Sequence, residues 1–136
     1  MVVLASLSFT SYAQESIIPN GKIPVEIVKY VKKYFPDNSI FKVVKDREIL
    51  STTYEVDLQG NIELEFDGDF QITDIKADSK LPDQVIPKKI LAYVHTNYPN
   101  VGITDWELDG RYQAVELEND LDIVFDLDGR FVKIDD

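Results

Sequence analysis

Cysteine is absent from all 136 residues. That excludes thiol catalysis, thiolate-bound zinc, disulfides and a lipidated cysteine anchor. Histidine occurs once, at position 95, so no site can be built from a histidine pair. Positive charge is scarce as well: 14 Lys and Arg stand against 25 Asp and Glu, for a net charge of -11. A surface this acidic repels phosphate backbones and anionic lipids, which argues against nucleic-acid binding and membrane docking. No apolar run is long enough to span a bilayer as a helix, so no membrane insertion is expected. Apolar residues make up 44% of the chain, enough to bury a core despite the charge.

The chain opens on an apolar stretch, Val2 to Phe9, followed by Ser11-Tyr12-Ala13 and Gln14. Small residues flanking Tyr12 suit a signal peptidase. Residues 1–13 are therefore expected to be an export signal, although no basic residue precedes the run. The mature protein is expected in the periplasm or secreted.

Beyond residue 13 the chain is a tandem repeat. Ile18-Pro19 to Ile23-Pro24 reappears as Leu81-Pro82 to Ile86-Pro87, a shift of 63. The same shift carries Ile27, Tyr30, Val31 and Pro36 onto Ile90, Tyr93, Val94 and Pro99. Past Asp109 the shift drops to 59: Val56, Leu64 and Phe66 fall on Val115, Ile123 and Phe125. After Asp67 and Asp126 a small insertion is read, which sets Gly68 and Phe70 on Gly129 and Phe131. The copies are expected at 14–78 and 79–136, joined by Ala77-Asp78-Ser79-Lys80.

Within each copy the apolar period changes from helical to alternating. Pro24 and Pro87 suit a helix start, and Pro36 and Pro99 an end. Tyr54 to Leu58 and Ile62 to Phe66 then alternate with Glu55, Asp57, Glu63 and Glu65. The expected class is α+β. Each copy is one helix plus a four-stranded antiparallel meander, and two helices cover one face of a broad sheet. The other face should be open and acidic.

The repeat places individual residues. His95 falls on Lys32 under the 63 shift, so it is expected at the surface without a catalytic role. Asp126-Leu127-Asp128-Gly129 begins like a calcium loop but lacks the later ligands and the closing Glu. It is expected to be a turn, as is Asp67-Gly68-Asp69. Paired carboxylates on an open sheet lack the enclosure a glycosidase needs. Trp106 falls on Val43, and a strand tryptophan is more often core than contact. Were it to face the acidic side, it would anchor a partner together with Arg111 and Tyr112.

The repeated Ile-Pro, Tyr-Val and aromatic-Pro positions, with Tyr54 to Asp67 and Leu121 to Gly129, resemble the PepSY-like family of exported bacterial proteins. Its fold is similar to that of β-lactamase inhibitor protein. The resemblance implies a periplasmic or secreted protein with no known chemistry; separately, no cofactor is expected. An inhibitor-like fold grips its target with the open sheet face. The expected function is thus a non-catalytic module binding an unidentified protein or peptide. Its candidate contacts are Trp106, Tyr112, Arg111, Glu55, Asp57, Glu63, Glu65, Glu116 and Glu118. The alternative is weak divalent-cation binding, calcium above all, on the same acidic residues. No residue set points to a dedicated metal site.

Overall fold

A computed structural model describes residues 14–135. The expected export segment, 1–13, lies outside the described residues.

Two helices form, α1 (Val25–Tyr34) and α2 (Lys88–Asn97), each preceded by a 3-10 turn. Pro24 and Pro87 sit one step earlier than a first-turn position, as extended N-caps. The Pro24 carbonyl accepts from the Ile27 and Val28 amides, and the Pro87 carbonyl from Leu91. Each helix ends where the next residue is an aromatic followed by proline. Phe35 N–H donates to Val31 O and Tyr98 N–H to Val94 O, both at 2.8 Å. A proline at the next position cannot continue the ladder.

Nine strands pair strictly with their chain neighbours into one antiparallel sheet. They are β1 (Gln14–Ile17), β2 (Ile40–Arg47), β3 (Thr52–Leu58), β4 (Ile62–Asp67), β5 (Ile72–Ala77), β6 (Ile103–Asp109), β7 (Tyr112–Leu117), β8 (Asp122–Asp126) and β9 (Phe131–Asp135). Two meanders of four would have given eight. The ninth, β1, lies at the outer edge against β2 and has no apolar alternation to announce it.

The core lies between the helices and one face of this sheet. A single row of directly opposed residues crosses it: Val43, Val56, Leu64, Ile75, Trp106, Val115, Ile123 and Ile134. All but Ile134 are buried. Ile27 and Val31 of α1 and Ile90 and Val94 of α2 close over it. Each helix also sets a tyrosine edge-on against a phenylalanine of its own copy. Tyr30 meets Phe66 and Tyr93 meets Phe125, both at 5.3 Å. The buried residues of both copies form one continuous cluster.

The small insertion expected after Asp67 is not there. Phe66 pairs with Ile72 and Phe125 with Phe131, so the shift of 59 runs on unbroken. Phe70 therefore corresponds to Gly129, not to Phe131. Both occupy the left-handed region, at φ 63 and 84. Glycine does this freely, whereas Phe70 adopts a conformation uncommon outside glycine. Its ring packs on Tyr54, with centroids 5.2 Å apart.

Candidate functional site

Strand alternation decides which residues face away from the helices. On that face the carboxylates stand opposite one another. Glu55 opposes Glu65, Glu65 opposes Asp74, and Asp74 opposes Glu107, so four successive strands carry one ladder. One step along, Asp57 opposes Glu63, Glu63 opposes Lys76, and Lys76 opposes Asp105. Glu116 continues that second row between Asp105 and Asp122. Like charges directly across a strand pair are destabilising. Their gathering into one continuous ladder marks this face as the place to look for function.

The ladder lines an open cleft of about 380 Å³ over the junction of the two copies. Glu55, Asp57, Glu63, Glu65, Asp74 and Glu107 bring six carboxylates to it, and Lys76 one ammonium. Lys42, 3.6 Å from Asp57, adds a cation at the β2 side through an exposed pair. A neighbouring cleft of about 470 Å³ shares Glu107 and runs over Tyr112, Ala114, Val124 and Val132. The open face is thus acidic at its middle and partly apolar towards β9.

Burial, then mutual repulsion, raises several of these carboxylates above their ordinary range. For Glu55 the repelling charges include Glu15, Asp46, Asp57 and Glu63; for Glu65 they are led by Asp74. Burial likewise dominates for Asp74 and Glu116. A carboxylate with a raised folded pKa binds more protons folded than unfolded. Its effect opposes folding above the raised value and fades as pH falls through it. Melting temperature should therefore rise as pH drops from neutral towards the ordinary carboxylate range, before general acid unfolding begins. Thermal melts across that range test this, and a fall in melting temperature would contradict it. Added salt at neutral pH should raise melting temperature by screening the same repulsion.

The sequence candidates divide on this geometry. Glu55, Asp57, Glu63, Glu65 and Glu116 share the open face. Tyr112 joins them, 48% exposed and flanked across the strands by Asp109 and Asp126. Arg111 is exposed in the two-residue turn between β6 and β7, beside that face. Trp106 is not a contact on it. It is 7% exposed and lies in the core row between Ile75 and Val115, while its neighbours Asp105 and Glu107 face out. Its indole N–H donates to the Gln113 Oε1 at 3.1 Å. The buried Gln113 amide donates in turn to the carbonyls of Asp126 and Leu127. Glu118 lies just past the end of β7, apart from the ladder, where its exposed carboxylate accepts the Gly102 N–H.

Asp74, Glu107, Lys76 and Asp105 join the site without having been expected there. A β-bulge opposite Glu65 and Phe66, with Thr73 as the extra residue, breaks the alternation that would have carried the acidic face onto β5. Asp105 and Glu107 are visible in the sequence as the neighbours of Trp106, and its burial assigns them outward.

His95 is exposed in the last turn of α2, beside Lys80 and Glu118. The two Asp-rich loops are matching turns. Asp67 Oδ1 accepts from the amides of Asp69 and Gln71, and Asp126 Oδ1 from those of Asp128 and Arg130, at 2.8–3.0 Å. One oxygen of each aspartate is thereby engaged by its own loop. Among the described residues, no group of three or more His, Asp or Glu is placed to hold a metal ion. Nor is any described helix long and apolar enough to cross a membrane.

Two helices on one face of a nine-stranded antiparallel sheet, with the opposite face uncovered among the described residues, define a tandem-repeat α+β protein. A family profile described as "Putative beta-lactamase-inhibitor-like, PepSY-like" matches residues 10–74 and again 68–133, and the chain belongs to this PepSY-like family. No curated protein matches it. Similar solved structures include three from Bacteroides. Two come from Bacteroides vulgatus ATCC 8482. The first, a "putative periplasmic protein of unknown function", has 26% identity and a TM-score of 0.84, covering 90% of this chain and 100% of that one. The second, a "putative periplasmic protein" of the DUF2874 family, has 28% identity and a TM-score of 0.84, covering 90% and 98%. The third, from Bacteroides thetaiotaomicron, is described as a "putative calcium-regulated periplasmic protein". It has 26% identity and a TM-score of 0.83, covering 90% and 97%. The expected placement, periplasmic or secreted, agrees with the periplasmic descriptions of all three.

Proposed function

We propose that the chain is a non-catalytic periplasmic module that binds a basic protein or peptide segment across the open face of its sheet. The carboxylate ladder Glu55–Glu65–Asp74–Glu107 is the observation behind this. These groups repel one another, and a bound row of Lys or Arg would relieve the repulsion while gaining charge-assisted contacts. The cleft is open, which suits a macromolecular segment better than a small substrate. The family description, β-lactamase-inhibitor-like, supports recognition of a protein without naming one.

A fluorescent lysine-rich peptide tests this by anisotropy. Affinity should fall steeply with salt and drop about tenfold or more for Glu65→Lys or Asp74→Lys. A glutamate-rich peptide of equal length should not bind. Equal binding of both peptides would end the proposal. A second reading is divalent-cation binding on the same face, motivated by the calcium-regulated description of one neighbour. Calorimetric titration with calcium separates the two. Heat released at submillimolar calcium and abolished by Asp74→Asn would favour the cation. Absence of heat alongside peptide binding would favour the basic segment.

A further inference from the structure

Among the described residues the sheet has two outer edges, β1 and β9, each with one side unpaired. Such an edge is a template for another strand unless it is blunted. β9 carries three half-exposed apolar side chains, Phe131 at 44%, Val132 at 43% and Ile134 at 41%. Ile134 ends the core row that runs from β2 to β9, so that row stops short in solvent. We propose that β9 pairs with β9 of a second copy of the chain, joining two nine-stranded sheets into one.

Register and charge select both the edge and the partner. A twofold axis perpendicular to the sheet keeps all helices on one side. It then permits only registers that oppose residues of the same face. On β9, Lys133 and Asp135 lie on the open face, opposite Val124 and Asp122 of β8, and Ile134 lies on the helix face. Centring the pair on Lys133 sets lysine against lysine. Centring it on Asp135 sets aspartate against aspartate. Centring it on Ile134 sets each Lys133 against Asp135 of the other copy, twice, and stacks Ile134 on Ile134. Only this register is complementary in charge, and it extends the core row across the axis. Lys133 and Asp135 are already close at 3.7 Å within one chain and are well exposed, so both are free to turn towards a neighbour.

Among the described residues the β1 edge offers no equivalent. Centring a pair on Glu15 opposes two glutamates, and centring it on Ser16 sets Glu15 against Ile17. Asp46 beside Glu15 adds negative charge there. The pairing uses an edge strand and not the acidic ladder, so it is independent of peptide binding on the open face.

Sedimentation equilibrium on the mature chain tests the proposal. The wild type should show a concentration-dependent approach to twice the monomer mass. Lys133→Asp or Asp135→Lys alone turns two attractive pairs repulsive and should weaken association about tenfold or more. The double swap, Lys133→Asp with Asp135→Lys, should restore it. Circular-dichroism melts establish that each variant is folded, and both positions are exposed enough to tolerate the change. A wild type that stays monomeric at the highest attainable concentration overturns the proposal. So does a dimer indifferent to the single charge changes, or one that the double swap fails to restore.

Discussion

Replacing Phe125 with alanine is expected to cost about 3–5 kcal/mol, and Phe66→Ala the same. Both rings are almost fully buried. Each lies edge-on to a helix tyrosine at 5.3 Å, so each loss leaves a similar cavity and a similar orphaned contact. The positions belong to different copies but to one apolar cluster. Either substitution should therefore lower a single melting transition of the whole chain, read by both near- and far-ultraviolet circular dichroism. Two separate transitions, with each variant moving only one, would mean that the copies fold as independent units. A loss of this size is a large fraction of the stability of a small domain.

Trp106→Ala is expected to be comparably damaging, again about 3–5 kcal/mol, while leaving binding at the acidic face intact in whatever fraction stays folded. The residue fills the centre of the core row, at the one strand pair that joins the copies. Trp106→Phe separates packing from hydrogen bonding. It keeps a ring but removes the N–H that the buried Gln113 oxygen accepts, which should cost about 1–3 kcal/mol. Replacing Gln113 with leucine at the same time should recover part of that loss only if the carbonyls of Asp126 and Leu127 find other donors. Chemical denaturation of the two single variants and the double variant measures the coupling. If Trp106→Ala is nearly neutral for stability but abolishes binding, its place in the core is wrong.

Much of the fold is legible in the sequence because a repeat supplies its own control. The helices follow from apolar residues at helical spacing between prolines, and both span ten residues at a shift of 63. Outward placement of Glu55, Asp57, Glu63 and Glu65 follows from strict alternation on β3 and β4. Alternation fails wherever a bulge adds a residue. The one at Glu65/Phe66 hides Asp74 and Lys76, and a similar irregularity separates Ile103 from Asp105. The side taken by Trp106 depends on parity set by that second irregularity. Its acidic neighbours give the right hint, since residues adjacent in a strand face opposite ways. β1 is hidden for another reason: Gln-Glu-Ser-Ile has no internal pattern, and pairing with β2 makes it a strand. The turn after β4 misleads because Gly68 looks like the partner of Gly129. The backbone puts Phe70 there instead, and composition does not reveal that a phenylalanine accepts a positive φ.

The repeat also explains why the acidic face has a centre. β5 and β6 bring Asp74 to Glu107 and Lys76 to Asp105, so the seam between copies joins two acidic patches into one. A basic segment lying on that seam is the central expectation. Titrating isotope-labelled protein with a lysine-rich peptide and following backbone amide shifts tests it directly. The largest changes should fall at Glu55, Glu65, Asp74 and Glu107, and should vanish when Glu65 and Asp74 are both changed to lysine. Shifts concentrated on the helices or along β9, or unchanged by those substitutions, would contradict it.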